Sequence, residues 1–285
     1  MWFLKLVRWP NLLILALLQI LAAMFLQHNL CSAYISDVKL LYILISTILI
    51  ASAGNIINDI QDVNIDAVNK PHKVIIGRYL SRKKAIILYG LITFTGLVTA
   101  SFVGFQYFIW TLIAAQILWL YSVVLKCQPL AGNIAIAALM GLSVWVVQFA
   151  GNYFHYKLLL FYTAFAFLTG FIREIIKDVE DKDGDKAFGC HTFAVKASLQ
   201  KVKNLVYILL VISLMLLIFS AVVFFLKGYT LLAIYLLVVV CTAFVFYAWQ
   251  VKKAQRKEQF SRLSLYIKLI MLAGILSMPL EDIKL

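Results

Sequence analysis

Two short stretches carry carboxylates and amides at spacings that could do chemistry. The first, Asn55-Ile-Ile-Asn58-Asp59-Ile-Gln-Asp62-Val-Asn-Ile-Asp66, follows a run without charge from Leu40 to Gly54. If the helix continues, Asn58, Asp62 and Asp66 recur at i, i+4 and i+8, which puts an amide and two carboxylates on one face. The second reads Arg173-Glu174-Ile-Ile-Lys177-Asp178-Val-Glu180-Asp181-Lys182-Asp183-Gly184-Asp185-Lys186. There Asp178, Asp181 and Asp185 fall at i, i+3 and i+7, again on one face. Like charges stacked this way repel, and carboxylates beside a bilayer are costly unless compensated. A divalent metal answers both difficulties, because hard cations such as Mg2+ take oxygen ligands.

Nine of the 13 acidic residues sit in these two windows, whereas simple surface solvation would scatter them. Two carboxylate clusters with Mg2+ between them form a clamp for a phosphate or diphosphate, since the metal neutralises charge developing on a leaving group. Lys73, Lys126, Arg173 and Lys177, with Arg78, are placed to hold remaining phosphate oxygens. A calcium loop at Asp181-Lys-Asp183-Gly184-Asp185 is rejected, because the glycine is out of register and no Glu closes a twelve-residue loop.

The elements that position these clusters are membrane helices. Residues are 64% hydrophobic, mean hydropathy is +0.94, and apolar runs long enough to cross a ~30 Å hydrocarbon core recur throughout. An ordinary soluble enzyme is excluded. The pattern predicts an all-α polytopic membrane protein of about nine transmembrane helices, forming one domain over residues 1–285. The expected spans are Asn11–Gln27, Leu40–Asn58, Ala85–Val103, Tyr107–Leu125, Leu130–Ala150, Leu158–Ile172, Leu205–Leu226, Tyr229–Gln250 and Leu263–Leu280. Polar motif loops then fall near 58–84 and 173–203. The first helix reads as retained rather than as a cleaved signal, for no small-residue cleavage site precedes a soluble domain.

A net charge of +13 suggests nucleic acid until the cations are sorted by loop. The N-terminus and the loops after even-numbered spans hold 21 of the 26 Lys and Arg. That asymmetry is the positive-inside pattern, so nucleic acid is not a partner, the lipid bilayer is, and both acidic zones fall on the cytoplasmic face. Lys268 is the exception inside the last span, where it could line a cavity or snorkel. Cys31, Cys127, Cys190 and Cys241 have no metal or redox spacing and read as apolar fillers. His28 and His155 fall on the far face, and His72 and His191 lie near the motifs without metal-ligand spacing.

Asn58-Asp59-x-x-Asp62-x-x-x-Asp66, followed by Asn69-Lys70-Pro71-His72-Lys73, resembles the first signature of the UbiA superfamily of intramembrane prenyltransferases. Asp178-x-x-Asp181-x-x-Gly184-Asp185-x-x-x-Gly189-x-x-Thr192 resembles the second. The likeness extends over essentially the whole chain. It implies a UbiA-like prenyltransferase fold and Mg2+-dependent transfer of a polyprenyl group from its diphosphate to an acceptor. Asn58, Asp62 and Asp66 would then bind one metal–diphosphate edge, and Asp178, Asp181 and Asp185 the other. Tyr121 matches a recurrent family position and could face the allylic cation left by diphosphate departure. Lys126 just beyond it suits diphosphate.

The segment from Arg173 to Asp185 is similar to the branch that geranylgeranylates geranylgeranylglyceryl phosphate, an ether-lipid reaction. Many family members carry a second basic-Pro pair where Lys73 here precedes Val74-Ile75, which bears on the phosphate contacts of that loop. An aromatic acceptor such as 4-hydroxybenzoate or a quinone precursor is the alternative. A bacterial or archaeal inner membrane is the expected location. A secondary transporter is the rival from another class, but it would place charges near the bilayer midplane rather than at helix ends.

Overall fold

The computed structural model describes residues 2–26, 38–69, 74–151 and 155–281. A short helix α1 (Trp2–Leu6) leads to α2 (Trp9–Phe25), with Pro10 in its first turn. Then come α3 (Val38–Asn69), α4 (Arg82–Ser101) and α5 (Phe105–Val123). A 3-10 turn (Leu125–Cys127) precedes α6 (Ala131–Trp145), which runs on as a 3-10 segment to Ala150. The chain continues through α7 (Tyr156–Ala187), α8 (Phe193–Lys196) and α9 (Leu199–Leu226). A π-helical turn (Leu236–Val240) joins α10 (Thr230–Tyr235) to α11 (Cys241–Lys253), and α12 (Lys257–Ile275) follows. No strand occurs among the described residues. Among the described residues eight helices are long and apolar enough to span a bilayer, and the apolar α2 is a shorter ninth. The molecule is an integral membrane helical bundle.

Two of these helices are far longer than a bilayer requires. At 32 residues each, α3 and α7 rise about 48 Å against a hydrocarbon core of ~30 Å. Their surplus turns are the acidic stretches. The expected helix ends at Asn58 and Ile172, with motif loops beyond them, are therefore corrected: residues 58–69 and 173–187 are helical. Side chains one turn apart supply the reason. Asn58 donates to Asp62 Oδ2 at 2.7 Å, and Lys177 pairs with Glu174 at 3.2 Å, so these turns are stitched along their own surface.

Helix α7 stops at a Schellman closure. The Cys190 N–H reaches Asp185 O, and the Gly189 N–H reaches Lys186 O. Gly189 has φ +73°, a conformation a side chain would strain.

Around α7 the bundle closes by small residues, as expected where lipid supplies no hydrophobic drive between helices. A Cβ on Gly141 of α6 would lie 3.1 Å from Thr163 O, and one on Gly170 would lie 2.5 Å from Met140 Sδ. On the other side a Cβ on Gly274 of α12 would overlap the Phe165 ring. Leu159, Ile172, Ile175 and Ile176 of α7 are fully buried, while Phe94, Phe105, Phe219 and Leu226 project outward as a lipid-facing surface does. Polar links pin the far half: buried Gln19 donates to Thr47 Oγ1 and Ser143 O, and Ser46 shares a 2.6 Å hydrogen bond with Tyr107. His155 Nε2 lies 3.3 Å from Glu281 Oε1, which ties the start of α7 to the last 3-10 turn. His28, His72 and Cys31 lie outside the described residues.

Candidate active site

A cavity of about 1190 Å3 opens between the ends of α3 and α7 and runs deep into the bundle. Its mouth is lined by Asn58, Asp62, Asp66, Asp178, Asp181 and Asp185, so the two acidic windows do meet across one space. Apolar walls follow, from Ile50 and Leu118 to Leu139, Trp110 and Phe165. Along α7 the lining extends from Asp178 back to Tyr162, about 24 Å of helical rise. The volume is at or above the usual upper range for one small-molecule site, ~1,000 Å3. A polar mouth on a long greasy channel suits an anionic headgroup with an isoprenoid tail.

Within the mouth each cluster is held by neighbours from distant sequence. Asp62 accepts from Asn58 and pairs with Lys126, which the 3-10 turn after α5 brings across from α3. Arg8, the residue before α2, pairs with Asp59 at 2.8 Å and adopts a left-handed backbone (φ 56°) to do so. Such a conformation costs a non-glycine residue about 1–2 kcal/mol, so the packing around the site holds it in place. On the α7 side Asn133 of α6 donates to Asp178 Oδ2 at 2.9 Å. The charges bearing on Asp185 include Asp181 on its own helix and Asp62 and Lys126 across the cavity.

Glu174 is buried one turn deeper and takes Arg173 on one oxygen at 2.5 Å and Lys177 on the other at 3.2 Å. Tyr121 lines the cavity, with Glu174, Asp178 and Asp62 among the charges bearing on it. Lys126, Arg173 and Lys177 line it too, whereas Lys73 lies outside the described residues. Residues that the spacing did not single out are Arg8, Asn133 and Glu174 as a clasp. Lys268, left open between cavity and lipid, lines the cavity.

Cys127 and Cys190, 63 residues apart, are joined as a disulfide, and the His191 N–H donates to Cys127 O. The reading of these two as apolar fillers is corrected. The turn that carries Lys126 and the turn that closes α7 meet at the cavity mouth, which no sequence spacing reveals. Cys241 is a free, half-buried thiol, as expected of a filler.

The donor set fits Mg2+. It is all oxygen and amide, with neither His nor thiolate among the six residues, and hard cations select such ligands. Among the described residues no three carboxylate, His or Cys side chains converge as a ready-made cage. Mg2+ seldom uses one: it is held by one or two carboxylates together with substrate phosphates and water. Two carboxylate clusters that line one cavity from different helices meet that requirement.

Fold and site together describe a helical membrane protein built around a carboxylate-mouthed, apolar-walled chamber, the arrangement of an intramembrane lipid-modifying enzyme. The chain belongs to the UbiA prenyltransferase family, whose model matches residues 12–270. It is 29% identical over 270 residues to the digeranylgeranylglyceryl phosphate synthase of Korarchaeum cryptofilum, covering 94% of each chain. A solved structure concerning digeranylgeranylglyceryl phosphate synthase in membranes superimposes with a TM-score of 0.71 and 25% identity, over 97% of this chain and 96% of that one. A UbiA homologue from Archaeoglobus fulgidus, solved with GPP and Mg2+, has a TM-score of 0.67 at 15% identity, covering 98% and 100% respectively, which speaks for the fold alone.

Proposed function

We propose that this protein transfers a polyprenyl group, with Mg2+, from its diphosphate to geranylgeranylglyceryl phosphate, forming the second ether of a membrane lipid. The observation that carries the reading is the pair of helix ends that bring six amide and carboxylate side chains to the mouth of one isoprenoid-sized cavity. The relative in Korarchaeum cryptofilum carries the name of that synthase. The fold neighbour solved with GPP and Mg2+ supports metal–diphosphate binding in this architecture.

Asn58, Asp62 and Asp66 would hold one metal–diphosphate edge, and Asp178, Asp181 and Asp185 the other; the metal supplies charge neutralisation on the departing diphosphate. Lys126 is the cation in reach of the diphosphate, and Arg173 and Lys177 line the same cavity around Glu174, one turn deeper. The allylic C–O bond breaks with its electron pair leaving on the diphosphate. A C–O bond then forms from the acceptor hydroxyl, whose proton passes to the diphosphate. The deep apolar walls exclude water from the cation, and the Tyr121 ring offers its face to it. Lys73 belongs to the same phosphate-binding set in this reading, and the chain forms one catalytic domain. The active-site mouth faces the cytoplasm of a bacterial or archaeal cell.

Diphosphate release from purified protein given geranylgeranyl diphosphate and Mg2+ tests this. Stimulation by geranylgeranylglyceryl phosphate and not by 4-hydroxybenzoate is the expected result. Release should vanish with chelator and return with Mg2+. Stimulation by the benzoate alone would move the protein to aromatic prenylation, and release undiminished by chelator would overturn the metal clamp.

A further inference from the structure

The diphosphate clamp uses α3, the Lys126 turn and the end of α7, yet the cavity has a second charged wall that this clamp does not touch. Lys268 projects into it from α12, about 16 Å of helical rise beyond Lys257. A cation at that depth in a bundle marks a functional position unless it can reach the interface. Snorkelling to the surface does not describe it here. Its Nζ donates to Asn11 Oδ1 of α2 at 3.2 Å, and both residues line the cavity. Arg173, Lys177, Glu174 and Arg8 are the charges that bear on it.

The cavity's other deep cations have carboxylate partners: Arg8 has Asp59, Lys126 has Asp62, and Arg173 and Lys177 share Glu174. Among the described residues, Lys268 has a neutral amide as its hydrogen-bond partner, and the buried Nε of Arg173 has none. Arg173, Lys177 and Lys268 against the single charge of Glu174 leave this wall with a net +2. A metal-bound diphosphate at the opposite cluster does not neutralise it. A phosphomonoester, which carries about −1.5 to −2 near pH 7, does.

We propose that Lys268, set beside Arg173 and Lys177 between α2, α7 and α12, is the docking point for the phosphate of the acceptor. Glu174 acts as the positioning residue that holds the two α7 cations toward it. This rests on the glyceryl phosphate reading above and deepens it. The acceptor's phosphate sits on the α12 wall, the donor's diphosphate sits on the α3 side, and the acceptor hydroxyl falls between them near Tyr121. The net +2 matches a phosphate dianion and overshoots a benzoate, so the wall also selects the acceptor class.

The test is steady-state kinetics of Lys268→Gln and Lys268→Arg with geranylgeranylglyceryl phosphate and with the same glyceryl ether lacking its phosphate. Losing one charge-assisted contact should raise the KM for the phosphorylated acceptor about 10- to 100-fold. The donor KM and Mg2+ dependence should hold, the preference for the phosphorylated acceptor should collapse, and the arginine variant should recover most of it. If the glutamine variant does not fold, inhibition of the wild type decides: a short-chain alkylglyceryl phosphate should compete with acceptor, and the neutral alkylglycerol should not. Equal rises in donor and acceptor KM, an unchanged phosphate preference, or equal inhibition by both analogues would overturn the subsite while leaving the glyceryl phosphate reaction standing. A wild type that prenylates 4-hydroxybenzoate and ignores the glyceryl phosphate would remove both readings.

Discussion

Asp62 stands at the mouth of the cavity, held by polar partners from two helical segments. It accepts from Asn58 on its own helix and from Lys126 across the cavity, while its neighbour Asp59 is taken by Arg8. Breaking into that arrangement should cost chemistry far more than stability, because the groups line the cavity and do not belong to the packed apolar core. Asp62→Asn and Asp181→Asn are expected to lower diphosphate release by about 10²- to 10³-fold, the usual loss when one stabiliser of developing charge is removed. Thermal stability in detergent should stay close to wild type. Near-normal turnover in either variant would sink the clamp.

The six ligand candidates that the spacing named all line the cavity, and they were legible because the acidic density was local and the helical period is fixed. Spacing could not locate Asn133, which meets Asp178 from 45 residues away, or Arg8, which meets Asp59 from 51. Those pairs depend on which helices become neighbours, and one chain's periodicity does not carry that information.

Helix length was the element most poorly read from composition. The apolar runs stop near Asn58 and Ile172, so hydropathy alone ends the helices there, yet hydrogen bonding along the surface carries both onward by three turns or more. The count of spans was legible, since twenty apolar residues have few alternatives in a bilayer. The turn between α5 and α6 was legible as a break at Pro129 but not as a working part of the site. Its position depends on Gly132. A Cβ there would lie 2.9 Å from Leu125 O and 2.9 Å from Lys126 Cα, both backbone atoms, and 3.1 Å from the Tyr121 ring.

Gly132→Ala should therefore push both the Lys126 turn and the Tyr121 ring away from α6. Overpacking of this kind costs about 1–3 kcal/mol of stability. A displacement near 1 Å at reacting groups can cost ~100-fold in rate. The expected variant is folded, slightly less stable, and at least tenfold slower, with the donor KM raised through Lys126. A variant with wild-type kinetics would show that the turn has room to yield.

At the scale of the whole molecule two features disagree about which side of the membrane holds the mouth. The positive-inside rule favours the cytoplasm, since 21 of the 26 Lys and Arg fall in the segments on the side of the mouth, including the cluster from Lys252 to Arg262. The Cys127–Cys190 link lies at the same mouth, and disulfides belong mainly to oxidising compartments. The charge bias is the stronger of the two, because it sums over five separate segments, whereas two adjacent thiols can exist in either redox state with the His191–Cys127 hydrogen bond still holding the turns together.

Single cysteines introduced into a protein freed of its four native ones would decide the matter. Lys227 and Lys257 are both exposed and lie at opposite ends of the helical pair between them. Lys227→Cys should react with a membrane-impermeant maleimide in intact cells, and Lys257→Cys should react only after permeabilisation. The reverse pattern would put the mouth outside, make the disulfide a permanent brace of the Lys126 turn, and require the donor to arrive from the far leaflet.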